Sequence, residues 1–105
     1  MAQIIWTEPA LLDLNEIAEY IALDNYSAAQ NLVTQVFASV ARLEEFPESG
    51  RKPPELENME YREIISNPCR IFYRIDKNKI YVIYVMRSER ALRNFIINDR
   101  ANKIS

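Results

Sequence analysis

Residues 61–86 read YREIISNPCRIFYRIDKNKIYVIYVM, and the periodicity of that stretch decides the fold. Tyr61–Ser66, Arg70–Asp76 and Lys79–Met86 are runs rich in Ile, Val, Tyr and Phe with a period of two, which marks β-strands. Asn67-Pro68 and Lys77-Asn78 separate them, and both pairs favour tight turns. Strands joined this closely pair as an antiparallel meander. Alternation along the middle strand places Arg70, Phe72 and Arg74 on one face and Ile71, Tyr73 and Ile75 on the other. The first set is therefore expected to face solvent as a basic surface. The last strand is apolar on both faces, which predicts a central or partner-covered position.

Upstream the period lengthens. Gln3–Thr7 is a short strand candidate leading into Pro9, and proline is tolerated in the first turn of a helix. Ala10, Leu11, Leu14, Ile17, Ala18 and Ile21 then recur at spacings of three and four, one apolar face of a helix, with Asp13, Glu16 and Glu19 off that face. Asp24-Asn25-Tyr26 is a turn. Ser27 with Gln30 three residues on reads as a capping box opening a second helix, whose stripe is Ala29, Leu32, Val33, Val36, Phe37, Val40 and Leu43. The short connection predicts an antiparallel helical hairpin. Pro47, Gly50, Pro53 and Pro54 break the pattern before the strands. Beyond Met86, the spacing of Ala91, Leu92, Phe95 and Ile96 predicts a short helix, and the tail from Asn98 is expected to be mobile.

The order predicts an α+β domain spanning residues 1–105. Residues 1–46 form a strand and helical hairpin, 47–60 a loop, 61–86 the meander and 87–105 a C-terminal segment. The hairpin covers one face of the antiparallel sheet, leaving the other solvated or covered by a partner.

Charge is unevenly distributed. Residues 1–60 carry 11 acidic and 3 basic side chains, while residues 61–105 carry 10 basic and 4 acidic, within a whole-chain charge of −2. One end of the molecule is thus expected to be negative and the other positive, favouring an anionic partner at the C-terminal half. No apolar run approaches the roughly 18 residues of a membrane span, no secretory leader is evident, and one cysteine fits a reducing compartment. The expectation is a cytoplasmic protein without membrane association. The chain has no histidine, which removes the usual general base near neutral pH and the commonest transition-metal ligand. With one glycine there is no phosphate-cradling loop. Neither cofactor nor metal is expected.

Arg62, Arg70, Arg74, Arg87, Arg90 and Arg93 can converge on one surface, where guanidinium groups would bind phosphate or carboxylate. Tyr61, Tyr73, Tyr81 and Tyr84 offer rings for stacking. The competing reading pairs these arginines with the helix carboxylates Glu16, Glu19 and Glu45. Glu63 and Glu89, embedded in the basic half, are read as local ion pairs before general bases. Cys69 is read as a small buried hydrophobe, and the acidic run Glu55–Glu60 as a solvated loop.

Several stretches together resemble ParE-type toxins of the ParE/RelE superfamily. They are Trp6-Thr7-Glu8-Pro9-Ala10, Asp13-Leu14 with Ile17 and Tyr20-Ile21, Asp24-Asn25 with Ala28-Ala29, Leu43 through Phe46-Pro47, Ser49-Gly50-Arg51, Pro54-Glu55-Leu56, Tyr61-Arg62-Glu63-Ile64 and Arg70-Ile71-Phe72-Tyr73-Arg74. The resemblance spans about residues 4 to 93. It implies the toxic half of a type II toxin–antitoxin module, partnered by a cognate antitoxin whose C-terminal segment folds on the toxin and through which alone the toxin meets operator DNA. ParE-like members imply inhibition of DNA gyrase by binding. RelE-like members imply ribosome-dependent mRNA cleavage, in which Arg62, Arg70 and Arg90 would be catalytic. This chain departs from the second pattern: Glu63 and Ile64 stand where a strand lysine is expected, and Phe95 near an expected tyrosine. It departs from the first at Met86-Arg87-Ser88-Glu89-Arg90, where a histidine is common. The reading adopted is a gyrase inhibitor without a catalytic site. Arg87, Arg90 and Arg93 are its target-binding residues, and Arg62, Arg70, Arg74 and Tyr73 its antitoxin-binding residues. The alternatives are a ribonuclease, and an inactive toxin that retains antitoxin binding and co-repression.

Overall fold

Thr7 opens the first helix and ties it to the sheet at once. Its side chain accepts from the Ala10 amide at 3.4 Å and donates to the Val82 carbonyl at 2.7 Å, so the N-cap is also a tertiary contact. In the computed structural model, which describes residues 1–56 and 60–104 and all their side chains except that of Phe95, the elements follow in the order β1 (Gln3–Trp6), α1 (Glu8–Ala22), α2 (Tyr26–Ala41), β2 (Tyr61–Ser66), β3 (Cys69–Asp76), β4 (Lys79–Arg87) and α3 (Asn94–Asn102). Short 3₁₀ turns cover Arg42–Glu44 and Pro54–Leu56. The middle of the acidic run, residues 57–59, the Phe95 ring set against an expected tyrosine, and residue 105 at the end of the tail lie outside the described residues.

The cap of α2 differs from expectation. Asn25, in extended backbone, accepts from the Ala28 amide at 3.0 Å, and the helix starts at Tyr26. Ser27 is already inside the first turn, so no capping box forms with Gln30. Both residues suit an N-cap, and the one nearer the end of α1 takes the role.

The sheet order is β1-β4-β3-β2. β2, β3 and β4 form the expected antiparallel meander, and β1 adds parallel to β4 with Trp6 opposite Val82. β4 is therefore central, which accounts for its two apolar faces. A bulge interrupts it: Phe72 pairs with Tyr84 and Tyr73 with Val82, leaving Ile83 unmatched.

Both faces of the sheet are covered by this chain. On one, Ala10, Leu14 and Ile17 of α1 and Leu32, Val36 and Val40 of α2 pack on Ile71, Tyr73, Ile80, Val82 and Val85. On the other, Ile97 and Ala101 of α3, with Leu56, close over Phe72, Ile83 and Met86. This corrects the expectation of an open second face. Arg70 is 8% exposed and Phe72 fully buried, and of the three residues read as solvent-facing only Arg74 is partly open. It also corrects the tail, because residues 98–102 are helical and Ala101 is buried. Fully burying a side chain such as Ile97 is worth about 1.5–3 kcal/mol.

Candidate functional site

The sheet arginines serve the fold. Arg70 reaches two carboxylates at once: its Nε and Nη2 donate to Glu63 Oε2 at 2.9 and 2.6 Å, and its Nη1 and Nη2 donate to the two Glu55 oxygens at 2.9 and 3.0 Å. Glu63, with no side-chain exposure, also accepts from Arg51 Nε at 2.6 Å. The Arg70 guanidinium packs over the Phe72 ring, 5.0 Å from its centre. The resulting chain, Arg51–Glu63–Arg70–Glu55, staples the 47–56 loop across β2 and β3. Hydrogen bonding to Arg70 holds the Glu55 carboxyl down at about 2, well below the usual 4.5. Glu63 and Glu89 are ion-paired as expected, Glu89 with Arg87.

Arg62 donates to the carbonyls of Glu48 and Gly50 at 3.2 and 2.8 Å. Tyr73 is fully buried; its hydroxyl donates to Pro47 O at 2.7 Å and accepts from the Gly50 amide at 2.9 Å. The surface role expected for Arg70 and Tyr73 therefore gives way to holding the loop. Arg74 lies over the Tyr81 ring at 5.9 Å. Cys69 is fully buried, and burial pushes its thiol up to about 11.

The C-terminal arginines are arranged differently. Between α1 and the end of β4 lies a groove of about 320 Å³, walled by Asp13, Glu16 and Tyr20 on one side and Tyr84, Arg87 and Arg90 on the other. Arg87 stacks over Tyr20 at 5.1 Å and pairs with Glu89 at 2.6 Å. Arg90 and Arg93, both exposed, make no side-chain hydrogen bond or ion pair among the described residues. The expected separation of negative and positive ends is modified here, because folding sets the acidic wall of α1 against the basic end of β4.

Three side chains in this region had drawn no role from sequence: Tyr20, Arg100 and Asp13. Arg100 pairs bidentately with Asp13 at 2.5 and 3.0 Å and covers the Tyr84 ring at 4.7 Å. Only the position of Asp13, within a helix but off its apolar stripe, could have marked it. The competing reading, which paired the six arginines with Glu16, Glu19 and Glu45, is not what the ion pairs show: Arg70 pairs with Glu55 and Glu63, and Arg87 with Glu89. Burial raises the Tyr84 phenol; Asp13 adds to that rise, while Arg100, Arg93 and Arg90 oppose it. Burial likewise raises the Tyr61 and Tyr73 phenols, which keeps these hydroxyls protonated near neutrality. Among the described residues no cluster of three or more Cys, Asp or Glu can hold a metal ion, and no helix is long and apolar enough to cross a membrane.

A helical hairpin on a four-stranded sheet, carrying a basic loop beside a groove, defines a small α+β domain. Residues 4–92 match the family described as ParE toxin of type II toxin-antitoxin system, parDE, and the chain belongs to that family. Toxin RelE2 of Caulobacter vibrioides is 30% identical over 91 residues, covering 86% of this chain and 99% of the relative. Putative toxin Y4kP of Sinorhizobium fredii is 34% identical over 86 residues, covering 82% and 88%. Among solved structures, the chromosomal ParDE TA system from P. aeruginosa shares the fold with a TM-score of 0.71 at 24% identity, covering 85% of this chain and 98% of that one. The RelBE2 toxin–antitoxin complex from Mycobacterium tuberculosis has a TM-score of 0.55 at 20% identity, covering 82% and 96%.

Proposed function

We propose that this toxin arrests growth by binding DNA gyrase, without catalysis, and that a cognate antitoxin neutralises it. The observation that carries this reading is the environment of Arg70. A catalytic guanidinium must turn its donors toward a scissile phosphate. Here two carboxylates take them, and a phosphate would have to displace Glu55 from a guanidinium that stays paired with the buried Glu63. Glu63, the nearest carboxylate, is likewise held by two arginines, and each of its oxygens already accepts from a guanidinium.

The target-binding surface is the loop that follows β4. Arg90 and Arg93 are free to donate to carboxylates or backbone carbonyls of a partner, and Arg87 fixes the groove wall through Tyr20. Asp13 and Glu16 on the facing wall favour a protein segment of mixed charge over a phosphodiester chain, which they repel. Arg62 and Arg74, still partly exposed, remain candidates for antitoxin contact, whereas Arg70 and Tyr73 leave that list. Contact with operator DNA passes through the antitoxin.

The test is a pulse-label experiment in cells expressing the toxin without antitoxin. Thymidine incorporation falling before methionine incorporation supports the gyrase reading. Methionine falling first overturns it in favour of mRNA cleavage, and no arrest with retained antitoxin binding marks an inactive toxin. Arg90→Ala with Arg93→Ala should abolish arrest while leaving stability within about 0.5 kcal/mol, because neither side chain has a hydrogen-bond or ion-pair partner among the described residues.

A further inference from the structure

The match to the toxin family ends at residue 92, and α3 begins at Asn94. The helix that closes the second face of the sheet is thus outside the matched segment, although it docks on residues within it. Its apolar hold is small: Ile97 and Ala101 are its fully enclosed side chains among those described. Its polar contacts include Asn94, whose Nδ2 donates to the Glu55 carbonyl at 3.4 Å, and a cluster made by one residue near the other end. Arg100 donates to both oxygens of Asp13 and to the carbonyl of Ile83 at 3.2 Å, and its plane covers Tyr84.

That contact falls on the bulge of β4. A bulge leaves main-chain groups without their ladder partners. Ile83 is the unmatched residue, and its carbonyl is taken up by Arg100. Two residues on, the Val85 amide donates to Asp13 Oδ2 at 3.1 Å. One carboxylate on α1 and one guanidinium on α3 therefore satisfy the interrupted strand and join three elements. Their side chains are 14% and 21% exposed, so the pair is partly shielded from competing water.

Between this junction and the end of β4 lie only residues 88–93, which carry Arg90 and Arg93. The first end of the loop is fixed by the Ser88 amide on Pro68 O at 2.8 Å. The second is fixed wherever α3 is docked. A loop of six residues spans at most about 20 Å, so the seat of α3 decides where both free guanidiniums point.

We propose that Asp13 and Arg100 are positioning residues for target recognition: they seat α3 on the β4 bulge and so hold Arg90 and Arg93 in their binding arrangement. This rests on the reading of the 88–93 loop as the target-binding surface. Arg100→Ala and Asp13→Ala test it from opposite sides of the junction, with Arg100→Lys as the conservative variant, which retains charge but not the bidentate fork. Val36→Ala, in the hairpin core and remote from α3, serves as a control for general loss of stability.

Two quantities are read: exchange of the Val85 amide, and the toxin dose that halts growth. The expected result is Val85 exchange faster by about tenfold or more in both alanine variants. The arresting dose should rise by about tenfold, the loss expected for a misplaced charged contact. Arg100→Lys should recover part of each, and Val36→Ala should leave the dose unchanged at a similar melting temperature. Unchanged Val85 exchange overturns the proposal, as does full potency despite rapid exchange. Growth arrest reports on potency whatever the target, so failure of the wild-type toxin to inhibit gyrase supercoiling would defeat the gyrase reading alone. Absence of any wild-type arrest would defeat both.

Discussion

Glu63→Ala is the substitution on which the structure makes its sharpest statement about stability. Glu63 has no side-chain exposure and Arg70 has 9%, whereas the outer partners Arg51 and Glu55 are 58% and 40% exposed. Only the inner two are buried charges. Removing Glu63 leaves Arg70 buried with a single, half-exposed partner, and breaking a buried pair from one side costs about 3–5 kcal/mol. For a domain of this size each kcal/mol moves the melting temperature by roughly 4–8 °C, so the midpoint should fall by roughly 12–40 °C. Against a total stability of about 5–15 kcal/mol, the variant sits at the edge of folding.

The double variant Glu63→Leu with Arg70→Met should behave differently. It strands no buried charge, because Arg51 and Glu55 can both turn to water. Apolar replacement of a whole buried pair is often neutral, so the double variant should lie within about 1 kcal/mol of the wild type and above either single variant. Urea titration followed by tryptophan fluorescence, with Trp6 as the sole reporter, measures all of these. A cost below about 1 kcal/mol for Glu63→Ala would refute the reasoning, as would a double variant less stable than both singles. The same double variant bears on mechanism: retained growth arrest removes Arg70 from any catalytic role, and loss of arrest in a folded protein returns it to one.

Three further outcomes follow from individual residues. A Cβ on Gly50 would lie 2.5 Å from the Tyr73 hydroxyl oxygen and 2.7 Å from the Glu63 carbonyl, so Gly50→Ala should cost about 1–3 kcal/mol, and an unchanged urea midpoint would show that the loop yields. The Glu55 carboxyl is depressed to about 2 in the folded state. The stability it contributes is full above the unfolded value near 4.5 and fades as pH falls from there toward 2; Glu55→Gln should flatten that part of the stability–pH curve, and an unaltered slope would count against the Arg70 bond. Cys69, buried and with its thiol pushed up to about 11, should react with a disulfide reagent only as fast as the protein unfolds; rapid labelling of the folded protein would contradict its burial.

Most of the meander was legible because its residues are in the periodic runs themselves. Tyr61–Ser66 was located to the residue, and β3 and β4 differ from their expected bounds by a single residue each. The helical hairpin was equally plain from its stripes, although Ser27 was a credible cap two residues past the one used. The second face of the sheet was not legible. Arg70 and Arg74 alternate with Phe72, which in isolation describes a wet face, and nothing local shows that Glu63 and Glu55 will arrive to neutralise Arg70. The α3 helix was misframed for a related reason. Ala91, Leu92, Phe95 and Ile96 suggested the helical face, but the helix starts at Asn94 and buries Ile97 and Ala101. A short helix with two anchoring side chains carries too little periodicity to fix its own phase. Asp13 and Arg100 are 87 residues apart in sequence, and only tertiary structure connects them.

The arginines also fall into two electrostatic classes that a salt titration can separate. Arg62, Arg70 and Arg87 already have partners within the chain, and Arg74 is occupied with Tyr81. Arg90 and Arg93 are the two of the six without such a partner among the described residues. If binding uses those two, few counterions are displaced. If the domain instead tracks a single-stranded backbone with all six, each contact steepens the salt dependence by about 0.7 in the logarithm. On such a backbone, between 50 and 300 mM salt, six contacts predict a loss of affinity on the order of 10³-fold and two a loss of only about tenfold. Fluorescence anisotropy with labelled toxin, titrated against purified gyrase and against single-stranded RNA, makes the comparison. A shallow slope on gyrase with no binding to RNA agrees with recognition by the loop. A steep slope on RNA would mean that the ion pairs of β2 and β3 open to admit phosphate, and the account of Arg70 as a structural residue would then be wrong.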